Sequence, residues 1–268
     1  MSGPIMAHVE LLNVSKTFAL KVKGVQRHAR ALDSLSFNVD KGEIVALAGP
    51  SGCGKTTALR IIMGLESASS GSVKVAGRQI NGCGFDRGMV FQHAELLPWR
   101  SAVENIKFGL EMKNLPQKEI DERAERFINL VGLGHARDHR PHQLSGGMKQ
   151  RVGIARALAI DPEVLLMDEP FGALDSQTRE TLQMELLDIH QRTGKTIVFV
   201  THDLDEAVLL ADRVVVMVGG HLREIIPVEL ERPRSDMRLI RSASEFARKR
   251  TMIWEALHEP AKPHELAA

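Results

Sequence analysis

One short segment, GPSGCGKT at residues 49–56, constrains the fold of this chain more than any other. It fits the pattern G-x-x-x-x-G-K-S/T, follows the apolar run Ile44–Ala48 and precedes helical periodicity over Thr56–Met63. Glycines let the backbone close around an anion, so that amide groups and the helix N-terminus point at it. The segment therefore predicts a strand, a phosphate-binding loop and a helix, which together are a unit of an α/β fold.

Apolar runs also alternate with helical periodicity in the second half of the chain. The runs Val164–Met167, Thr196–Val200 and Val214–Val218 predict buried strands. Helices are predicted between them, over Thr181–Gln191 and Glu206–Leu210. This alternation is typical of a mostly parallel sheet with helices on both faces.

Two regions depart from the alternation. In the N-terminal region we expect antiparallel strands over Val9–Phe18 and Leu35–Val39, and a loop over the polar, basic stretch Ala19–Arg30. The region Leu96–Ile160 shows helical periodicity that ends at glycines, with no strong strand pattern. The expected fold class is α/β, with a mostly parallel sheet, an N-terminal antiparallel β subdomain and an inserted α-helical subdomain.

The C-terminal region begins with a patch rich in proline and arginine. One helix is expected after it, followed by a loose tail, HEPAKPHELAA. We place residues 1–233 in one domain, with the helical subdomain at roughly 96–160, and residues 234–268 in the C-terminal helix and tail. The apolar residues expected on one side of that helix are Leu239, Ala243, Phe246, Ile253 and Leu257.

Composition excludes several classes of protein. The chain has 268 residues, with 35 Lys and Arg against 34 Asp and Glu, so its net charge of +1 gives no global attraction to nucleic acid. Two cysteines are too few for a secreted disulfide scaffold and indicate a reducing compartment. No signal peptide is evident, and the apolar runs fall far short of the ~20 residues that cross a bilayer. We therefore expect no nucleic-acid partner and no membrane crossing by this chain itself.

Two further segments carry candidate chemistry. The run Val164–Met167 ends in Asp168, which suits a contact to Mg²⁺, and Glu169, which could polarise an attacking water. In LSGGMKQR, Ser145 is a good N-cap and the glycines allow close approach at a helix start, which makes a second anion site. Each segment alone also fits an ordinary solvated turn or capped helix. Helix physics does not explain why one nucleotide would need two such sites.

The phosphate loop, LLMDEP and LSGGMKQR together resemble the ATPase subunit of an ATP-binding cassette transporter, a resemblance that runs from about Val9 to about Pro233. It implies that ATP and Mg²⁺ are bound. It also implies a head-to-tail homodimer, in which the phosphate loop of one cassette and the LSGG of the other enclose one ATP. The implied nucleotide contacts are Phe18, Gly49, Pro50, Ser51, Gly52, Cys53, Gly54, Lys55, Thr56, Thr57, Ser145, Gly146, Gly147 and Asp175.

The same resemblance implies catalytic roles. Glu169 takes the position of the catalytic base, and His202 that of the switch histidine that contacts the γ-phosphate. Gln92 matches the glutamine that contacts Mg²⁺ and water and senses the membrane subunit. Phe18 fills the slot of the aromatic residue, often Tyr, that stacks on adenine; a core residue at a strand end is the alternative. The implied metal ligands are Thr56, Gln92 and Asp168.

Finer features resemble the importers of nitrate, sulfonate and taurine. They are the sequence LLPW at 96–99, shortly after Gln92, FGALD at 171–175 and ERPR at 231–234. The resemblance implies separate integral-membrane permease subunits that dock in a groove near Gln92 and Leu96–Trp99, and an external substrate-binding protein. It places the chain peripherally, at the cytoplasmic face of the inner membrane. The alternative for Trp99 is a core residue.

Other functions remain open at this point. One is a cassette ATPase that drives lipid trafficking, and another is a soluble, non-transport cassette ATPase. The segment from Thr56 to Leu144 is too short for the long coiled coil of DNA-repair members, and the single cassette does not match translation-type members. The cargo is not named by the sequence: nitrate, an alkanesulfonate, taurine and a thiamine-precursor pyrimidine are all open. An inactive regulatory module is disfavoured by intact Lys55, Asp168, Glu169 and His202.

Overall fold

The computed structural model of the chain describes residues 7–22, 25–234 and 236–258. None of the helices in these ranges is both long enough and apolar enough to span a bilayer. The strands are β1 (Val9–Val22), β2 (Val25–Val39), β3 (Ile44–Ala48), β4 (Ser70–Val75), β5 (Arg78–Gln79), β6 (Arg87–Val90), β7 (Val164–Asp168), β8 (Thr196–Thr201), β9 (Arg213–Val218) and β10 (His221–Pro227). The helices are α1 (Lys55–Met63), α2 (Ala102–Met112), α3 (Gln117–Leu130), α4 (Gly146–Ala159), α5 (Ser176–Thr193), α6 (Leu204–Leu210), α7 (Met237–Ser242) and α8 (Ser244–His258).

A six-stranded sheet forms the centre of the molecule, in the order β10-β9-β3-β8-β7-β6. The five strands from β9 to β6 are parallel, and β10 is antiparallel at one edge. The residues of the central strands β3 and β8 are buried on both faces, as the apolar runs predict. Along β3, Val45 and Leu47 join the core with α1 and the N-terminal strands, whereas Ala46 joins the core with the helices of the opposite face.

The N-terminal strands form a second, antiparallel sheet in the order β2-β1-β4-β5. The predicted loop over Ala19–Arg30 was wrong, because β1 and β2 continue through it, with Ala19 opposite His28 and Lys21 opposite Gln26. Within the stretch from Ala19 to Arg30, only positions 23 and 24 lie outside the described residues. Residues 27–30 are exposed, which suits the polar side chains of an antiparallel ribbon that faces water. The backbone hydrogen bonds that hold such a ribbon together do not require apolar side chains.

Helices α2, α3 and α4 and two short 3₁₀ turns occupy the stretch from Leu96 to Ile160, and no strand occurs anywhere in that stretch. Helix α2 begins with a capping box, in which the Ser101 hydroxyl accepts from the Glu104 amide at 3.3 Å and the Glu104 carboxylate accepts from the Ser101 amide at 2.7 Å. In chain order, these helices therefore lie between β6 and β7, as the helical periodicity predicts.

The C-terminal region holds two helices and not the single one predicted. Ala243 separates α7 from α8 with an extended backbone, at φ −69° and ψ 136°. The predicted apolar side is therefore broken: Phe246 and Ile253 are buried, but Leu239 is 70% exposed. The predicted tail begins at His258, which is instead the last residue of α8, and the rest of it lies outside the described residues. The domain boundary after Pro233 stays a prediction.

Candidate functional site

The predicted site residues gather at one edge of the parallel sheet, where four neighbouring strands end. The strand register aligns Ala48 of β3 with Thr201 of β8, Val200 with Asp168 of β7, and Met167 with Val90 of β6. The phosphate loop, His202, Glu169 and Gln92 follow these strand ends. Parallel sheets bind ligands at this edge, beyond the carboxyl ends of the strands.

The phosphate loop turns directly from β3 into α1. Gly54 caps the helix at φ 99°, and a Cβ atom there would lie 2.4 Å from the Ala31 carbonyl oxygen, so no other residue fits without a shift. Among the described residues, the amides of Gly54, Thr56 and Thr57 donate to no backbone oxygen. The loop therefore presents free N–H donors at a helix N-terminus, the arrangement that binds phosphate.

The Lys55 side chain is buried inside this loop. Its Nζ donates to the carbonyl oxygens of Gly49 at 2.7 Å and Pro50 at 3.0 Å, so a cation lies beneath the loop. Cys53 is also buried, and burial raises the pKa of its thiol. Cys53 is therefore a neutral thiol, and the only charge that this part of the loop supplies is the Lys55 ammonium.

Two oxygen ligands suitable for a divalent cation lie side by side. Thr56 Oγ1 donates to Asp168 Oδ1 at 2.9 Å, although 112 residues separate them in the chain. Burial raises the pKa of the Asp168 carboxyl, and the bond from Thr56 opposes that rise. Within the described residues no group of three or more His, Cys, Asp or Glu could hold a metal alone. One carboxylate and one hydroxyl fit Mg²⁺, which completes its shell with water and phosphate oxygens.

The three predicted catalytic side chains meet at one carboxylate oxygen. Glu169 Oε2 lies 3.2 Å from His202 Nδ1 and 3.5 Å from Gln92 Nε2. Glu169 has a left-handed backbone, with φ 44°, and its amide donates to the Val200 carbonyl oxygen at 3.1 Å. This unusual backbone directs the carboxylate toward the strand ends, and such strain clusters at functional sites.

The LSGG segment forms the start of α4, as predicted. The Ser145 hydroxyl accepts from the Met148 amide at 3.3 Å, and Ser145 and Gly146 are exposed. A Cβ atom on Gly147 would lie 2.4 Å from Thr178 Cγ2, so close packing against α5 requires the glycine. The segment therefore presents a capped helix N-terminus to solvent.

Asp175 lies beside this segment, at the N-cap of α5. Its carboxylate accepts from the Thr178 amide at 3.0 Å, and that hydrogen bond lowers the pKa of the carboxyl. Leu174, the residue before it, approaches Gly146. Asp175 and the LSGG segment therefore belong to one exposed surface, and their contacts with nucleotide stay predictions.

Phe18 lies on β1, in the hairpin whose other strand covers the phosphate loop. Its ring is half-buried, and Lys16 Nζ lies 4.8 Å from the ring centroid. It faces Ala29, two residues from the Ala31 carbonyl that touches the loop at Gly54. Phe18 is therefore not a core residue, and stacking on adenine stays a prediction.

Side chains of α4 that the sequence reasoning missed hold the loop that follows β6 and contains Gln92. The Gln150 amide donates to the Phe91 carbonyl at 3.0 Å, and Arg156 donates to the Ala94 and Glu95 carbonyls at 2.7 and 2.8 Å. Gln150 falls in one helical stripe with apolar Ile154 and Leu158. A polar residue in a buried stripe predicts a buried hydrogen bond, and that signal was available.

The loop after Gln92 also faces open space on two sides. Together with the start of α4 and the segment before α5 it lines a pocket of about 390 Å³, to which Leu96 contributes. Trp99 is 67% exposed, which contradicts the alternative that it is a core residue. Asn105, fully buried, donates to the carbonyls of Leu97, Arg100 and Ser101, and so fixes the turn that carries Trp99.

Comparisons of sequence agree with this geometry. The family described as ABC transporter matches residues 32–172. An uncharacterized ABC transporter ATP-binding protein of Methanocaldococcus jannaschii is 49% identical over 249 residues, 92% of this chain and 90% of the relative. The nitrate import ATP-binding protein NrtD of Synechocystis sp. is 43% identical over 245 residues, 89% of this chain and 91% of the relative. The bicarbonate transport ATP-binding protein CmpC of Synechocystis sp. is 45% identical over 247 residues, 90% of this chain but 37% of the relative.

Solved structures share the fold. The dimeric, post-hydrolysis structure of the ATP-binding cassette MJ0796 with ADP and Pi has a TM-score of 0.73 at 34% identity, and the match covers 83% of this chain and 100% of that one. The cassette cbiO1 of Clostridium perfringens, part of the ABC transporter complex cbiONQ, has a TM-score of 0.74 at 26% identity, with 92% and 99% covered. The predicted fold class is confirmed.

Asp168 yields a test of this geometry that depends on pH. Because burial raises its pKa above that of the unfolded chain, its stabilising contribution is complete at low pH and is lost as the pH rises through the folded pKa. Asp168→Asn keeps an acceptor for Thr56 and removes the charge. We expect this variant, without nucleotide, to melt a few degrees above the wild type at about pH 8, and the difference to shrink toward about pH 4.

A matched control variant is expected to change the melting temperature in the opposite direction. The hydrogen bond from Lys107 lowers the pKa of Asp121, so Asp121→Asn is expected to melt at or below the wild type at the higher pH. Thermal unfolding across the pH range measures both variants. A lower melting temperature for Asp168→Asn at the higher pH would contradict the assignment of a buried, destabilised carboxylate.

Proposed function

This chain belongs to the ABC transporter family, as the ATP-hydrolysing subunit of an importer, and we propose that it powers uptake of a small solute of the nitrate, bicarbonate, sulfonate or taurine kind. The observation that carries the catalytic part is the meeting of Glu169, His202 and Gln92 at one carboxylate oxygen beside the phosphate loop. The relatives named for nitrate import and bicarbonate transport support the cargo class. Lipid trafficking and a soluble, non-transport role are not favoured.

The proposed reaction is in-line attack of water on the γ-phosphate of ATP. The loop amides and Lys55 bind the phosphates, and Glu169 accepts the proton of the attacking water. His202, whose Nδ1 lies 3.2 Å from Glu169 Oε2, would stabilise the charge that develops on the γ-phosphate, and Gln92 would orient the water. Thr56, Asp168 and Gln92 would hold Mg²⁺, which neutralises phosphate charge when it is bound.

The cassette dimer supplies the second anion site. Ser145, Gly146 and Gly147 are at an exposed helix N-terminus that bonds nothing of its own phosphate loop in the described residues. We propose that they complete the γ-phosphate shell of the partner subunit, while Asp175 crosses the interface. The dimeric form of the similar MJ0796 cassette supports this arrangement.

The permease contact is proposed at the turn fixed by Asn105. An exposed tryptophan on a well-held turn, next to a pocket, is typical of a binding surface for another protein. The similar cbiO1 chain is part of a transporter complex, which supports assembly of this chain with membrane subunits. We place it peripherally at the cytoplasmic face of the inner membrane, in a system that includes an external substrate-binding protein.

Glu169→Gln tests the catalytic base. This variant keeps the hydrogen-bonding shape but cannot take a proton, so it is expected to bind Mg-ATP, hydrolyse it at least ~100-fold more slowly and accumulate as a closed dimer. Size-exclusion chromatography with light scattering, with and without Mg-ATP, measures the dimer. Glu125→Gln on α3 is the control and is expected to behave as the wild type. Rapid turnover by Glu169→Gln would remove Glu169 from the role of base.

Trp99→Ala tests the permease contact. Loss of a large exposed ring at the centre of an interface typically costs about 2 kcal/mol or more of binding. We expect the variant to keep the ATPase rate of the isolated chain and to co-purify poorly with its permease. Trp254→Ala on α8, another exposed tryptophan at 52%, is the matched control. Equal recovery of permease with both variants would contradict the contact.

Uptake measurements test the cargo class. A strain that lacks this chain is expected to lose high-affinity uptake of one labelled solute among nitrate, bicarbonate, taurine and an alkanesulfonate. Wild-type chain is expected to restore that uptake, and Glu169→Gln is not. Unchanged uptake of all four solutes would reject the proposed cargo class but leave the ATPase assignment in place.

A further inference from the structure

One arginine of α5 joins two segments of the site that the chain keeps far apart. Arg179 Nη2 donates to the Leu174 carbonyl oxygen at 3.2 Å. Its Nη1 lies 3.6 Å from Asp203 Oδ2, and its Nε lies 4.0 Å from Glu206 Oε1. Leu174 precedes Asp175 at the exposed surface, and Asp203 follows His202. The guanidinium therefore spans the segment that faces the partner cassette and the segment that carries the switch histidine.

The histidine segment is held by the same network on both sides of His202. Before it, the buried Thr201 hydroxyl donates to Glu206 Oε2 at 2.6 Å and accepts from the Asp203 amide at 3.0 Å. After it, Asp203 Oδ1 accepts from the amides of Asp205 and Glu206 at 2.8 and 3.2 Å. Any displacement of the Asp203 or Glu206 carboxylate therefore moves the backbone next to His202.

These contacts differ from an exposed surface ion pair, which contributes little to stability. Glu206 is only 6% exposed, and burial raises the pKa of its carboxyl. Gln183 donates to it at 3.1 Å, and Arg179 is the cation beside it. Arg179 Nε is buried and makes no hydrogen bond to any residue that the structure describes. A shift of about 1 Å would bring it within hydrogen-bond distance of Glu206.

We infer that Arg179 is a positioning residue that couples the Leu174–Asp175 segment at the cassette interface to the placement of His202. The inference rests on the proposed function, because it assigns a route by which closure of the dimer sets the catalytic histidine. A partner cassette that presses on Asp175 moves the Leu174 carbonyl and, through the guanidinium, the Asp203 carboxylate. His202 then reaches its working position only in the closed dimer.

Arg179→Met and Arg179→Lys test the inference in the full chain. For Arg179→Met we expect kcat for ATP hydrolysis to fall by on the order of 10- to 100-fold, since a displacement of about 1 Å at a catalytic group has an effect of that size. The Kd for Mg-ATP is expected to stay within about twofold, because the contacts of Arg179 do not include the phosphate loop. Lys keeps the charge but not the planar fork of three nitrogens that reaches both segments at once, so its kcat should be intermediate.

Arg192→Met is the matched control. Arg192 lies on the same helix and donates to Asp188 of that helix at 2.9 Å, so its loss removes an ion pair without touching either segment. It is expected to hydrolyse ATP as the wild type does. The melting temperature of each variant is measured alongside, and Arg179→Lys carries the test if Arg179→Met does not fold.

The His202→Ala variant, used as a second background, separates a positioning role of Arg179 from a general loss of structure. In His202→Ala, single-turnover hydrolysis should show no further loss on adding Arg179→Met, because a residue that acts through His202 has nothing left to position. Losses that multiply in the double variant, a parallel loss of ATP affinity, or wild-type kcat in both Arg179 variants would each overturn the inference. Absence of ATPase activity in the wild-type chain would instead count against the proposed function.

Discussion

The register of four parallel strands is the constraint on which the site depends. Backbone hydrogen bonds fix β3, β8, β7 and β6 so that the last residues of neighbouring strands fall within one position of each other. Each strand is buried on both faces, and a slip of one residue would move every side chain into the opposite core, where it would not fit its neighbours. The phosphate loop, His202, Glu169 and Gln92 inherit their alignment from this register. The chemistry is therefore positioned by the most buried part of the molecule, although it takes place at the surface.

Two kinds of residue complete the site around that fixed edge. Some act locally, such as Gly54, whose left-handed backbone lets a helix begin under the β2 carbonyls. Others bridge elements, such as Thr56, which bonds Asp168 across the sheet edge, and Gln150, which holds the loop after β6. The bridging residues explain why segments from widely separated parts of the sequence form one surface.

Much of this could be predicted from the sequence, because the signals are local. Strands buried on both faces read as continuous apolar runs, and the phosphate loop and the Ser145 cap each occupy a few consecutive residues. The failures have a common cause. Ala19–Arg30 is a polar ribbon whose strands are held by backbone bonds, and the apolar spacing of the C-terminal region continues across Ala243 although its backbone is extended there. Neither leaves a local pattern. Arg179 and Arg156 were missed because their acceptors are backbone oxygens or distant carboxylates.

The attachment of the loop after Gln92 to α4 has a thermodynamic consequence. Gln150 and Arg156 join the backbone carbonyls of Phe91, Ala94 and Glu95, on both sides of Gln92, to the helix whose first residues form the exposed LSGG surface. The loop and the helix are thus one mechanical unit with two faces, one toward Trp99 and one at the LSGG surface proposed to meet a partner cassette. Linkage between such faces is reciprocal. By whatever factor a docked permease changes the affinity of the partner cassette for ATP, ATP changes the affinity for the permease equally.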